Sequence, residues 1–150
     1  MGDKRSVYGM FFMVTVLLSS LSCIRNDGDI GIWFGMWQVT NIEIDGRPDE
    51  GYSGNVVLKF QNDVMENQAQ DSHYVINNCF VRWHEADGKM FFEIPENEDG
   101  DTQYGYVPEL HLPWLRLIEM KIVNLSGKNA RLDYVADSGE ILSYYLKKLY

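Results

Sequence analysis

The residues of this chain that could do chemistry are three histidines, two cysteines and 22 carboxylates. His73, His84 and His111 have no metal-ligand spacing such as His-x₃-His, so they are expected at the surface or at strand ends. No Gly-x-Ser-x-Gly nucleophile elbow occurs, and Ser138-Gly139 falls in a turn-forming run. Glu43, Glu93 and Glu119 lie within strand-like stretches. Any of them turned into an apolar interior would carry a raised pKa, but solvent is their expected surrounding. The acidic run Glu96 to Asp101 contains Gly100, which suggests a calcium loop. Counting outward puts Pro95 and Tyr106 at the terminal ligand positions, and neither fits there. No catalytic residue, metal site or cofactor is therefore expected. A carboxylate inside the fold is the one route left to an enzyme.

Aromatic side chains are the richer candidate surface. Trp83, Phe91, Tyr104, Tyr106 and Trp114 are the expected ligand-lining set, with Trp33 and Tyr74 beside them. Rings of this kind build the walls of small-molecule sites, but ordinary core packing also accounts for each of them taken singly. Tyr106 and Trp114 fall in the longest irregular segment and are the expected rim residues.

The formal net charge is −9. Phosphate binding needs a basic face, so nucleic acid is not an expected partner. A chain of 150 residues with 45% hydrophobic content is expected to fold as one domain, and as a monomer.

The N-terminus reads as an export signal. Met1 to Ser6 is short and net basic, Val7 to Leu18 is almost wholly apolar, and Ser19-Ser20-Leu21-Ser22 precedes Cys23. The apolar run is too short for a comfortable membrane span. Residues 1–22 therefore form the expected signal peptide, 23–32 a polar, flexible tether, and 33–150 the folded domain. Removing residues 1–22 takes away Lys4, Arg5 and Asp3, which moves the net charge from −9 to about −10. The Ser20-Leu21-Ser22-Cys23 stretch resembles a bacterial lipoprotein signal, in which the Cys at the cut is lipidated. That resemblance implies a membrane anchor at Cys23 and residence in the cell envelope, as an outer-membrane lipoprotein facing the periplasm or the surface. Ser20-x-Ser22 equally satisfies ordinary secretion. With Cys23 lipidated, Cys79 has no disulfide partner and is a small core residue; otherwise a Cys23–Cys79 bridge is open to the chain in an oxidising compartment.

Alternation and turn residues divide the rest into about eight strand-like runs. Trp33 to Asp45 is the first. Trp33, Trp37 and Val39 share one face by parity, while Ile42 and Ile44 fall on the other, so a bulge near Thr40-Asn41 is needed to bury both sets. Asp45 to Gly51 is a polar loop. Val56 to Gln61 and Val64 to Gln70 flank a turn. His73 to His84 follows, with a break expected at Asn77-Asn78, and Asp87-Gly88 marks a tight hairpin to Met90–Ile94. Residues 95–113 are irregular and expected to pack back over the fold. Leu115–Leu125, Ala130–Val135 and Ile141–Leu149 form a closing meander. This pattern predicts an all-β, eight-stranded, antiparallel up-and-down barrel, whose closure removes exposed edges. A barrel of that size is filled by its own side chains or holds one small ligand.

Gly35-Met36-Trp37, placed on the first strand after a signal and tether, resembles the lipocalin signature. The whole domain is similar to lipocalin-like domains of Gram-negative envelope lipoproteins, above all at Gly35 to Thr40 and Ser143 to Lys148. The resemblance implies that Gly35 permits close backbone approach, that Trp37 plugs one end of the barrel, and that a basic residue on a late strand packs across it, with Arg131 as the nearest candidate. It also implies binding of a small hydrophobic ligand. The alternative is a filled barrel acting as an interaction or inhibitor module on another envelope protein or polymer. The chain is shorter than typical lipocalins and lacks their other loop motifs.

Overall fold

Period-two alternation of apolar and polar residues carries most of the described residues into one antiparallel sheet. The computed structural model describes residues 28–70, 75–93, 108–112 and 117–150. Its strands are β1 (Gly35–Ile44), β2 (Arg47–Pro48), β3 (Val56–Gln61), β4 (Val64–Gln70), β5 (Val75–Ala86), β6 (Lys89–Glu93), β7 (Leu117–Leu125), β8 (Asn129–Val135) and β9 (Ile141–Lys148). From β3 to β9 each strand pairs with the next, β1 pairs with β3, and β1 also pairs with β9 from Trp37↔Lys148 to Ile44↔Leu142. The sheet is thus a closed barrel of eight staves. The two-residue β2 is a side ribbon folded back on the end of β1.

Turn chemistry sets the registers. Asp87 and Gly88 both have positive φ, at 53° and 72°, and join Ala86 to Lys89 in the expected two-residue hairpin. Asp45 and Gly46 do the same at φ 50° and 75°, which turns the start of the expected polar loop into the β1–β2 ribbon. The parity break in β1 is a bulge: pairing to β9 passes from Val39↔Leu146 to Asn41↔Tyr145, leaving Thr40 extra. Trp37, Val39 and Ile42 consequently all point inward, each with 0% of its surface exposed. Asn77 and Asn78 do not interrupt β5; they pair with Ala69 and Gln68, and the irregularity sits opposite, between Ala69 and Gln70.

Trp33 does not belong to β1. It ends a 3₁₀ helix (Gly28–Trp33) that takes in the last residues of the expected tether. The helix lies across the end of the barrel where β1 starts and β9 finishes. A second, short 3₁₀ turn (Pro108–Leu110) serves the opposite end. Between them one continuous apolar cluster runs through the interior, from Trp33 and Phe60 past Met90 and Leu132 to Tyr144 and Leu110.

Candidate functional site

The Trp37 end is shut by a cluster of tilted and edge-on aromatics. Trp33 and Trp37 lie 5.3 Å apart between ring centroids, Trp33 and Phe60 5.4 Å, and Phe60 meets Trp83 edge-on at 4.9 Å. Each outer indole has a polar anchor. Trp37 Nε1 donates to the Trp33 carbonyl at 2.8 Å, and Trp33 Nε1 donates to Glu85 Oε2 at 2.8 Å. Gly35 has φ +115°, and a side chain there would run into the Tyr150 carbonyl oxygen. Leu149 N donates to the Met36 carbonyl at 2.8 Å, so the last residues continue the β1–β9 ladder alongside the start of the first strand.

The cation over the plug is Lys148, not Arg131. Lys148 Nζ sits 5.5 Å from the Trp37 ring centroid and donates to the Ile32 carbonyl at 2.8 Å. Strand parity explains the exchange. Ala130, Leu132 and Tyr134 are the buried residues of β8, which turns Arg131 outward. There its Nε and Nη2 grip Asp133 at 2.8 and 3.0 Å, and its guanidinium lies 5.4 Å from the Tyr145 ring centroid. The Tyr145 hydroxyl donates to Glu43 Oε2 at 2.8 Å, so Glu43 belongs to this outer network.

Phe91 is also displaced from the expected ligand set. Met90 and Phe92 are the buried residues of β6, and Phe91 stacks on His84 at 4.7 Å on the outer surface. Trp83 does face inward, but as part of the plug rather than of a mouth. Tyr104, Tyr106, Trp114 and Cys23 lie outside the described residues. Cys79 is a buried thiol, pushed up to about 11 by desolvation and so an inert core group. Among the described residues no three His, Cys, Asp or Glu side chains gather as a metal site.

Two polar atoms of buried residues stand out against the apolar wall. Asn67, 6% exposed, lies on the inward face of β4 between Met65 and Ala69, with Leu58 and Cys79 as its cross-strand neighbours. Its Oδ1 has no hydrogen-bond partner among the described residues, and neither has Trp83 Nε1. A buried polar atom left this way costs about 1–3 kcal/mol. Nothing in the strand pattern singles out Asn67 except that a polar residue occupies an inward position.

At the end opposite Trp37, Leu110 is inserted into the interior and its carbonyl accepts the Tyr144 hydroxyl at 2.6 Å. His111 Nε2 lies 2.7 Å from Asp49 Oδ2, tying this turn to the loop after β2. That contact, followed by the Gly51 N–H, holds the Asp49 carboxyl below its ordinary range. The wider depression on the surface, about 510 Å³ beside Trp83 and Glu85, is a groove open to solvent at the plugged end and is not part of the interior.

Closed strand order, a Gly-x-Trp first strand and an aromatic plug at that strand's start define a lipocalin-like barrel. Comparison with solved structures agrees. A lipocalin-like protein from Bacteroides uniformis ATCC 8492 is similar over 79% of this chain and 100% of its own, with 18% identity and a TM-score of 0.56. An uncharacterized protein from Bacteroides eggerthii DSM 20697 is similar over 77% of this chain and 98% of its own, with 17% identity and a TM-score of 0.62. At that identity the likeness concerns the fold. No protein-family model and no curated protein matches the sequence.

Proposed function

We propose that this chain is a non-enzymatic, lipid-anchored protein of the bacterial cell envelope whose lipocalin-like barrel takes a small, mainly apolar ligand. Asn67 carries the proposal. An inward carbonyl with no partner, set in an apolar wall, is the polar group that orients a ligand in sites of this type. The ligand would present its N–H or O–H donor to Asn67 and its apolar body to the surrounding side chains. The aromatic plug closes one end, so entry is assigned to the end where Leu110 sits.

Native mass spectrometry of the full protein purified from its own envelope tests this. The expected spectrum carries a non-covalent mass beyond any acyl chains. Asn67→Leu is expected to lose that mass and yet to gain about 1–3 kcal/mol of stability, because the unpartnered acceptor is gone. Ligand-free wild-type protein that also fails to take up apolar probes such as fatty acids would defeat the proposal.

Anchoring rests on the signal-like N-terminus and Cys23. Two or more acyl chains hold a protein firmly to a bilayer, whereas none leaves this acidic chain without an attachment. Cys23→Ala is expected to move the protein from the membrane to the soluble fraction on cell fractionation; retention in the membrane would contradict the anchor.

A second reading, the filled barrel acting as an interaction or inhibitor module, is favoured by one observation. Leu110 already occupies the interior, with its carbonyl bonded to Tyr144. The same mass spectrum separates the two readings.

A further inference from the structure

Beside the Leu110 turn lies a small cavity of about 140 Å³ lined by Asp49, Tyr52, Ser53, Asn55, Glu109 and His111. That is room for about four or five water molecules, or for one charged head group on a short stem. The cavity's hydrogen-bond accounts are uneven. The Tyr52 hydroxyl is committed, donating to the Val39 carbonyl at 2.7 Å and accepting from Val56 N at 3.3 Å. Asp49 is committed too, with Oδ1 accepting from Gly51 N at 3.0 Å and Oδ2 against His111. Two acceptors remain. Asn55 Oδ1 and Glu109 Oε2 are both shut off from solvent, and neither has a hydrogen-bond partner among the described residues.

The unmet need is therefore for donors, and it includes an anionic oxygen with no counter-ion among the described residues. Its charge is felt within the pocket: Tyr52 is pushed up to about 12, first by burial and further by Glu109. Anions and carbonyl-only molecules have nothing to give such a cavity. A neutral hydroxyl supplies a donor but leaves the charge. An ammonium or a guanidinium supplies several N–H donors, a positive charge and no acceptor. A bound metal ion is the weaker fit, because no three ligating His, Cys, Asp or Glu side chains converge here among the described residues.

We infer that the barrel mouth carries a second binding site, for a primary ammonium or guanidinium group held between Glu109 and Asn55. It goes beyond ligand binding in the interior and stands whether or not the interior is occupied. The cation reaches it either on a free small amine or as the side chain of a lysine or arginine in a protein partner.

The test is amide NMR on the ¹⁵N-labelled full chain, titrated separately with ethylammonium, guanidinium, a capped lysine and a capped lysine-containing peptide. Saturable shifts are expected at Gly51, Tyr52, Asn55, Glu109 and His111. Glu109→Gln keeps the shape and removes the charge, so it should weaken binding at least tenfold. Asn55→Asp adds a second negative acceptor and should tighten it severalfold, and it keeps the test alive if the Glu109 variant fails to fold. Equal affinity for ethylammonium and the peptide identifies a small-molecule amine; markedly tighter peptide binding identifies a protein side chain. The inference is overturned if none of the four probes gives saturable shifts, if Glu109→Gln binds as well as wild type, or if Ca²⁺ moves these resonances while the amines do not.

Discussion

Trp37→Ala is expected to destabilise the barrel by about 3–5 kcal/mol, the range for removing a large buried aromatic. The side chain is wholly buried and is joined to three other groups at once: Trp33 by ring contact and hydrogen bond, Lys148 by its ammonium, and the interior by packing. The loss does not stop at the missing ring. Trp33 would keep its bond to Glu85 but lose the indole that holds its carbonyl, so the Gly28–Trp33 helix would be left less firmly placed on the barrel end. Urea unfolding monitored by circular dichroism measures the cost. Trp37→Phe supplies the control. It retains most of the apolar volume and the face beneath Lys148, and it leaves the Trp33 carbonyl without its donor. Its cost should fall to about 1–3 kcal/mol. Equal losses in the two variants would show that the hydrogen bond, not the ring, holds the plug; a negligible loss in Trp37→Ala would mean that the end of the barrel is not closed by this residue.

What was legible in advance follows the range of the forces involved. The parity break in β1 was visible because a strand's side chains alternate strictly, so Trp37 and Ile42 could share the interior only through an extra residue; the bulge lies at Thr40, as that argument requires. The Asp87-Gly88 hairpin was equally local. The facing of Phe91 is hidden in the sequence because Met90-Phe91-Phe92 is a continuous apolar run, in which alternation carries no signal. The inward pair is settled by cross-strand register, with Phe92 opposite Trp83 and Phe91 opposite His84. Arg131 differs from its expected place for another reason. Parity on the last strand, counted from the buried Tyr144 and Leu146, points to Lys148 as the cation that turns inward at the plugged end. Trp33 reads as part of the strand in the sequence because its kinked approach, with Gly31 at φ 61°, has no periodic mark. The small cavity at the mouth was beyond reach, since Asp49 and His111 are separated by 62 positions and meet only when the chain closes.

Gly35→Ala is the sharper test of that closure, with an expected cost of about 3 kcal/mol from two separable sources. The first is conformational: φ +115° is outside the range that a residue with a Cβ readily adopts, at about 1–3 kcal/mol. The second is steric, because the new methyl would collide with the Tyr150 carbonyl oxygen where the last residues pair with β1. Lys148 is close to the same spot, with its Cε 3.3 Å from that methyl position, so a shift there also disturbs the cation over Trp37. Removing residues 149 and 150 separates the terms. It deletes the obstructing carbonyl together with the backbone hydrogen bonds that Leu149 and Tyr150 make with Met36, and it leaves the backbone angle at residue 35 and the nearby Lys148 stem as the remaining penalty. In that shortened background Gly35→Ala should cost about 1–2 kcal/mol, and the difference between the two values is the coupling energy of the pairing. A cost that is the same with and without residues 149–150 would mean that the glycine is needed for its backbone angle alone. Its place two residues before Trp37 would then set the entry angle of the first strand rather than the seam that closes the barrel.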